Sequence, residues 1–173
     1  LIIGMQGQNN PRMVAELTRF HLHVVMLKIQ KIKDIAAAIQ AVGRLTGHAQ
    51  QGIEVAKGFY RRLALSVAQP NRSPVSQRET GLHKPKVFLQ LGARPLYTIG
   101  HNSLINQAIS LCGGRNIFGN INKSALEVST ESVLAQKPGV IIGLTPTSLS
   151  NWQQWKSLPA VKHGRLVVIN SDL

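Results

Sequence analysis

Short apolar runs recur along this chain, each separated from the next by stretches with helical spacing. That alternation limits the fold more than any other feature. Leu1-Ile2-Ile3, Val24-Val25-Met26-Leu27, Val87-Phe88-Leu89-Gln90-Leu91, Val140-Ile141-Ile142 and Leu166-Val167-Val168-Ile169 are short and largely apolar. Runs of that kind read as buried strands. Alternation of such strands with helices predicts an α/β fold with parallel sheets.

The intervening segments carry helix signals. Asn10-Pro11 is a cap followed by a first-turn proline, opening a short helix through Val14, Leu17 and Thr18. Ile32, Ile35, Ile39 and Val42 recur at helical spacing and stop before Gly47. A long helix is expected from about His48 to Gln69, with an apolar stripe of Ile53, Ala56, Tyr60, Leu63 and Val67. At about 1.5 Å per residue it would run roughly 30 Å, long for a helix covering one small sheet. Residues 70–85, with three prolines and few apolar residues, read as a loop or an irregular helix end that separates two halves.

In the second half a turn is expected over Gly92 to Gly100. Asn102 or Ser103 would cap a helix with Ile105, Ala108, Ile109 and Cys112 on one face, ended by Gly113-Gly114. Ser129 would cap another helix, with Glu131 in its first turn and Lys137-Pro138 as its stop. A further short helix is expected to start at Ser150, with Trp152 and Trp155 three apart and Pro159 closing it.

Composition then narrows the function classes. The 173 residues are 43% hydrophobic, enough for a folded core. A net charge of +13 favours anionic partners, and a basic nucleic-acid-binding module is one reading of it. The basic residues are scattered, however, and aromatics make up only 5% of the chain, so a solvated basic surface is the reading preferred. The lone cysteine excludes an internal disulfide and a Cys-rich zinc site. His21 and His23 are the only close histidines and do not make a metal site. There is no P-loop, no Gly-x-Gly-x-x-Gly and no Gly-x-Ser-x-Gly elbow. No stretch approaches the ~20 apolar residues that span a bilayer. Nothing in these patterns supports an enzyme or a resident cofactor. Cys112, placed at a helix C-terminus and in phase with Ile105 and Ile109, is expected to be a buried thiol rather than a nucleophile.

Two longer stretches carry a family likeness. "KVFLQLGARPLYTIGHNSLINQAISLCGGRNIF" followed by "VSTESVLAQKPGVII" resembles the C-terminal lobe of the cluster-III substrate-binding proteins of ABC importers. Their ligands are cobalamin, haem and ferric siderophores, and the likeness is greatest to the cobalamin type. "LPAVKHGRLVVINSD" continues it, and "LIIGMQGQN" resembles the last part of the N-terminal lobe. The resemblance implies two Rossmann-like lobes joined by a long backbone helix. Residues 1–47 would be a partial N-terminal lobe, 48–85 the inter-lobe helix and loop, and 86–173 the C-terminal lobe. The opening residues read as a strand already under way, so the sequence is expected to start inside a domain, without a signal peptide.

The function so implied is periplasmic capture of a corrinoid or a related metal chelate and its delivery to ABC permease subunits. The full-length form would be a monomer, with no nucleic-acid partner. Haem or a ferric siderophore is the alternative ligand, and a partner surface that has lost transport is a further reading. By the same likeness Tyr97 and Asp172 match cleft residues. Met5 and Ala125 fall where the cobalamin type has tryptophan, and Arg94 beside the cleft would suit a carboxylate- or catecholate-bearing ligand. Glu131 matches an acidic residue that docks to permease arginines, whereas the N-lobe counterpart position holds Pro11-Arg12.

Overall fold

The computed structural model describes residues 1–7, 9–68 and 84–169. Most of the expected loop at 70–85, and Asp172, lie outside the described residues. The chain divides into two compact units, Leu1–Leu65 and Ser66–Leu173.

In the first unit, strands β1 (Ile2–Met5) and β2 (Val24–Leu27) pair in parallel, from Ile2 opposite Val24 to Met5 opposite Leu27. Helix α1 (Pro11–Arg19) makes the crossover. The Asn10 Oδ1 accepts from the Arg12 N–H at 3.0 Å, the cap its sequence position implied. Helix α2 (Ile32–Leu45) begins where Asp34 folds back, its carboxylate accepting from the backbone N–H groups of Lys31 and Gln30 at 2.8 and 3.0 Å. These two bonds, with Lys33 and Lys31 beside it, hold the Asp34 carboxyl below its ordinary range.

A tight turn through Gly47 (φ +77°) leads to α3 (Ala49–Ala68), which runs back along α2. The two helices meet at Gly43 and Gly52: a Cβ on Gly43 would stand 2.9 Å from the Gly52 Cα. Farther along, Ala36 and Ala56 are fully buried, and the Tyr60 hydroxyl donates to the Lys33 carbonyl at 3.2 Å. The expected stripe on this helix is therefore only partly right. Ala56 is buried, but Ile53, Tyr60 and Val67 are exposed. The seam runs through Gly52 and Ala56, because absent side chains let the helix backbones approach where larger residues would hold them apart.

The second unit has a four-stranded parallel sheet in the order β6-β3-β8-β9, formed by β3 (Lys86–Gln90), β6 (Arg115–Asn116), β8 (Val140–Gly143) and β9 (Leu166–Val168). Strand β3 is central and alternates with period two. Val87 and Leu89 join Ile99, Ile109 and Val140 on one face. On the other, Phe88 packs with Val133, Ile141, Trp152 and Leu158. The Phe88 ring meets Phe118 and Trp152 edge-to-face, with centroids 6.1 and 5.6 Å apart.

The segment expected as a turn at 92–100 is instead a hairpin, β4 (Gly92–Ala93) and β5 (Leu96–Ile99), whose second strand also pairs with β7 (Ala125–Glu127). Two hydrogen bonds tie it to the end of β3: the Leu91 N–H donates to the Tyr97 carbonyl, and the buried Thr98 hydroxyl donates to the Leu89 carbonyl at 2.7 Å.

Helix α4 (Leu104–Leu111) is capped by the Ser103 hydroxyl, and α5 (Thr130–Gln136) by that of Ser129, both as expected. Cys112, expected to be buried, is exposed. It is the residue that closes α4, and the covering of the sheet passes to Gly114, where a Cβ would stand 3.0 Å from both Ile109 Cγ2 and Val87 Cγ2. Ile105 is exposed as well, and Ile109 is the buried residue of this helix. Asn116, next along, is buried and fully engaged. Its Nδ2 donates to the Ile99 carbonyl and to Asn106 Oδ1, and its Oδ1 accepts from the Phe118 N–H. The Gly-Gly-Arg-Asn-Ile-Phe stretch is thus a scaffold element.

The short helix expected from Ser150 is displaced: α6 (Pro146–Ser150) ends there, capped by Thr145, and Trp152 follows in a turn that leads to Trp155. Pro159, expected to close that segment, opens α7 (Pro159–Lys162).

Candidate functional site

The strand order places a crevice. From the end of β3 the chain passes through β4, β5 and α4 to β6 on one side, while from β8 it passes through α6 to β9 on the other. Adjacent parallel strands with diverging exits leave a gap beyond their carboxyl ends, where open α/β sheets bind ligands. A concavity of about 510 Å³ lies in this unit, lined by Gln90, the last residue of β3, and by Arg94, Leu96, Glu131, Trp152 and Trp155 among others. Its volume falls within the ~300–1,000 Å³ typical of small-molecule sites.

Each lining group has a local origin. Gln90 lies on the same face of β3 as Phe88, two residues back, so its side chain meets Trp152, which packs on Phe88. The Trp152 Nε1 donates to Gln90 Oε1 at 2.6 Å, and both residues are almost fully buried. Trp155 sits one turn beyond, its backbone N–H donating to the Trp152 carbonyl, and is 38% exposed, so part of its ring remains open to solvent. Arg94 occupies the turn between β4 and β5 and is exposed.

Glu131 stands in the first turn of α5. A hydrogen bond from its own backbone N–H, then one from the Ser129 hydroxyl, holds its carboxyl below the usual range. The wall therefore offers a guanidinium, a fixed amide and an indole surface, a set suited to holding a flat ligand with polar edges, and beside them the exposed Glu131 carboxylate.

Of the residues singled out from sequence, the structure brings Arg94 and Glu131 to this one concavity. Tyr97 is exposed and projects from the face of β5 opposite Leu96, away from that wall. Met5 ends β1 in the first unit, where its backbone N–H donates to Asn9 Oδ1 at 2.7 Å. Sequence reasoning passed over Gln90, Trp152 and Trp155 as site residues. The available signal was a glutamine ending an otherwise apolar strand, in "VFLQL".

Among the described residues no helix is long and apolar enough to cross a membrane. Comparisons with known proteins bear on the family and the fold. The chain is 30% identical over 177 residues to the vitamin B12-binding protein of Salmonella paratyphi A, an alignment covering 99% of this chain and 61% of that protein. It is 28% identical to the vitamin B12-binding protein of Pectobacterium carotovorum, covering 93% and 58%. The chain thus spans about three fifths of the length of these curated relatives.

Among solved structures it resembles the periplasmic vitamin B12 binding protein BtuF of Vibrio cholerae, with a TM-score of 0.82, 26% identity, and coverage of 99% of this chain and 65% of that one. The apo periplasmic heme-binding protein RhuT of Roseiflexus shares the fold, with a TM-score of 0.78, 19% identity, and coverage of 97% and 65%. The likeness to BtuF supports the expected two-lobe α/β class. The sequence profile of the periplasmic binding protein family matches residues 15–173, and the chain belongs to that family.

Proposed function

We propose that this chain is part of the substrate-binding component of an ABC importer, working in the periplasm to capture cobalamin or a related corrinoid and hand it to the permease. The observation that carries the reading is the concavity at the carboxyl ends of β3 and β8, in a chain most of whose length aligns with proteins named for vitamin B12 binding. In this reading Arg94 holds polar edges of the ligand and Asp172 supplies a further ligand contact. Glu131, exposed and held ionised, docks to arginines of the permease. The ligand is cargo, so no resident cofactor and no catalytic residue is needed. The full-length protein acts as a monomer and has no nucleic-acid partner.

A second reading keeps the family and changes the cargo to haem or a ferric siderophore. Arg94 favours it, since a guanidinium pairs with carboxylate or catecholate oxygens in two parallel bonds. Titration of the chain with cyanocobalamin and with haemin, followed by ligand absorbance, tests both. Saturable binding of cyanocobalamin supports the first and preference for haemin the second. No affinity for corrinoids, haem or ferric siderophores removes the proposal.

A further inference from the structure

We infer that Gln90 is a ligand-reading hydrogen-bond donor, set in one orientation by Trp152, and that this pair selects ligands with a carbonyl or carboxylate oxygen at their edge. The inference rests on the proposed function and names a contact within the same site.

An indole N–H can only donate, so the atom of Gln90 that meets Trp152 Nε1 at 2.6 Å is the amide oxygen, and the orientation of the amide follows. Its Nε2 is left with two hydrogens, and no acceptor among the described residues takes them. Gln90 is 2% exposed, yet no side-chain nitrogen or oxygen among the described residues is both sealed and unpaired. Nε2 therefore keeps a small exposure, on a residue that lines the concavity. Buried amides normally satisfy both ends. One fixed at its oxygen and open at its nitrogen is a donor awaiting an acceptor, and the acceptor comes with the ligand. Arg94 and Trp155 on the same wall give that acceptor a neighbouring cation and a flat apolar surface. The carboxamide carbonyls of a corrinoid and the propionates of a porphyrin both qualify, and a propionate gains more because a charged acceptor makes the stronger bond.

The test uses cyanocobalamin and gallium protoporphyrin, a diamagnetic haem analogue, as probes. Affinity is read by ligand absorbance, and contact by the side-chain amide resonances of Gln90 in labelled protein. The variant is the double substitution Gln90→Met with Trp152→Phe, which removes both partners of the bond together and so leaves no buried group orphaned. Trp152→Phe alone frees the amide to turn. Expected are a shift of the Gln90 amide signals on binding and an affinity loss in the double variant of about fivefold for cyanocobalamin and about tenfold or more for the porphyrin. The single variant should lie between it and the parent, and affinities are compared at a temperature where circular dichroism shows all three folded. Binding with unmoved Gln90 signals, or a double variant of unchanged affinity, overturns this inference and leaves the proposed function standing. Failure of both probes to bind the parent chain overturns the two together.

Discussion

Replacing Gly43 by alanine should destabilise the first unit, although alanine is the better helix former. In an open helix interior the change gains about 1 kcal/mol, because glycine loses more backbone freedom on folding. At Gly43 the added methyl would lie 2.9 Å from the Gly52 Cα and 3.0 Å from the His48 carbonyl oxygen. Both are backbone atoms and cannot rotate aside, so α2 and α3 must move apart and loosen the seam at Ala36 and Ala56. Overpacking of this kind costs about 1–3 kcal/mol, leaving a net loss of about 1 kcal/mol. Gly58 is the internal control. It lies in the same α3, and the nearest atom to its added methyl is Arg62 Nη1 at 3.5 Å, the end of a flexible side chain. Gly58→Ala should therefore stabilise by about 0.8–1 kcal/mol. Urea unfolding followed by helical circular dichroism, with hydrogen exchange on α2 and α3 amides, reads both changes in the unit concerned. If both substitutions stabilise equally, the two helices do not cross at these glycines.

Asn116→Ala removes three hydrogen bonds at a buried position and strands the Phe118 N–H, so it should cost about 3 kcal/mol in denaturant unfolding, where a loss below about 1 kcal/mol would mean the scaffold does not depend on it. Glu131 has a folded-state pKa below its unfolded value, so its contribution is present above the unfolded value and fades only as pH falls through the lowered folded one. Stimulation of permease ATPase activity by the full-length protein should accordingly persist through mildly acidic pH and be lost in Glu131→Gln at every pH; undiminished stimulation by that variant argues against docking there. Native Cys112 should react fully with an aromatic disulfide reagent without loss of circular dichroism, and protection of the thiol until unfolding would contradict its exposure.

How much of this was legible depended on whether the determining contacts were local. Strand β2 and the caps at Asn10, Ser103 and Ser129 follow from side chains acting within a few residues, and the sequence reading found them. The hairpin β4–β5 was missed because a two-residue strand has almost no pattern of its own, and its pairing with β7 lies about thirty residues ahead. Cys112 was misplaced for a related reason. It was read as continuing the face of Ile105 and Ile109, but Ile105 is itself exposed, the helix ends at Cys112, and the chain turns at Gly113 to bring Gly114 onto the sheet. At the site, Arg94 and Glu131 came from family likeness alone. Nothing in the order of residues announces a hydrogen bond spanning 62 positions, so the Gln90–Trp152 pair became visible only once β3 and the segment after α6 were in place.

The position of Gln90 on the central strand has a consequence for how tightly a guest can be held. Side chains on surface loops surrender considerable motion when they grip something, and that loss subtracts from affinity. Gln90 is clamped by an indole and follows directly on three buried residues of β3, so its freedom is already gone before any guest arrives. Contacts made there add to affinity almost undiminished, and they stiffen the second unit's centre rather than its periphery. Heating the occupied protein should show the gain in the melting of that unit, ahead of any change in the helices of the first.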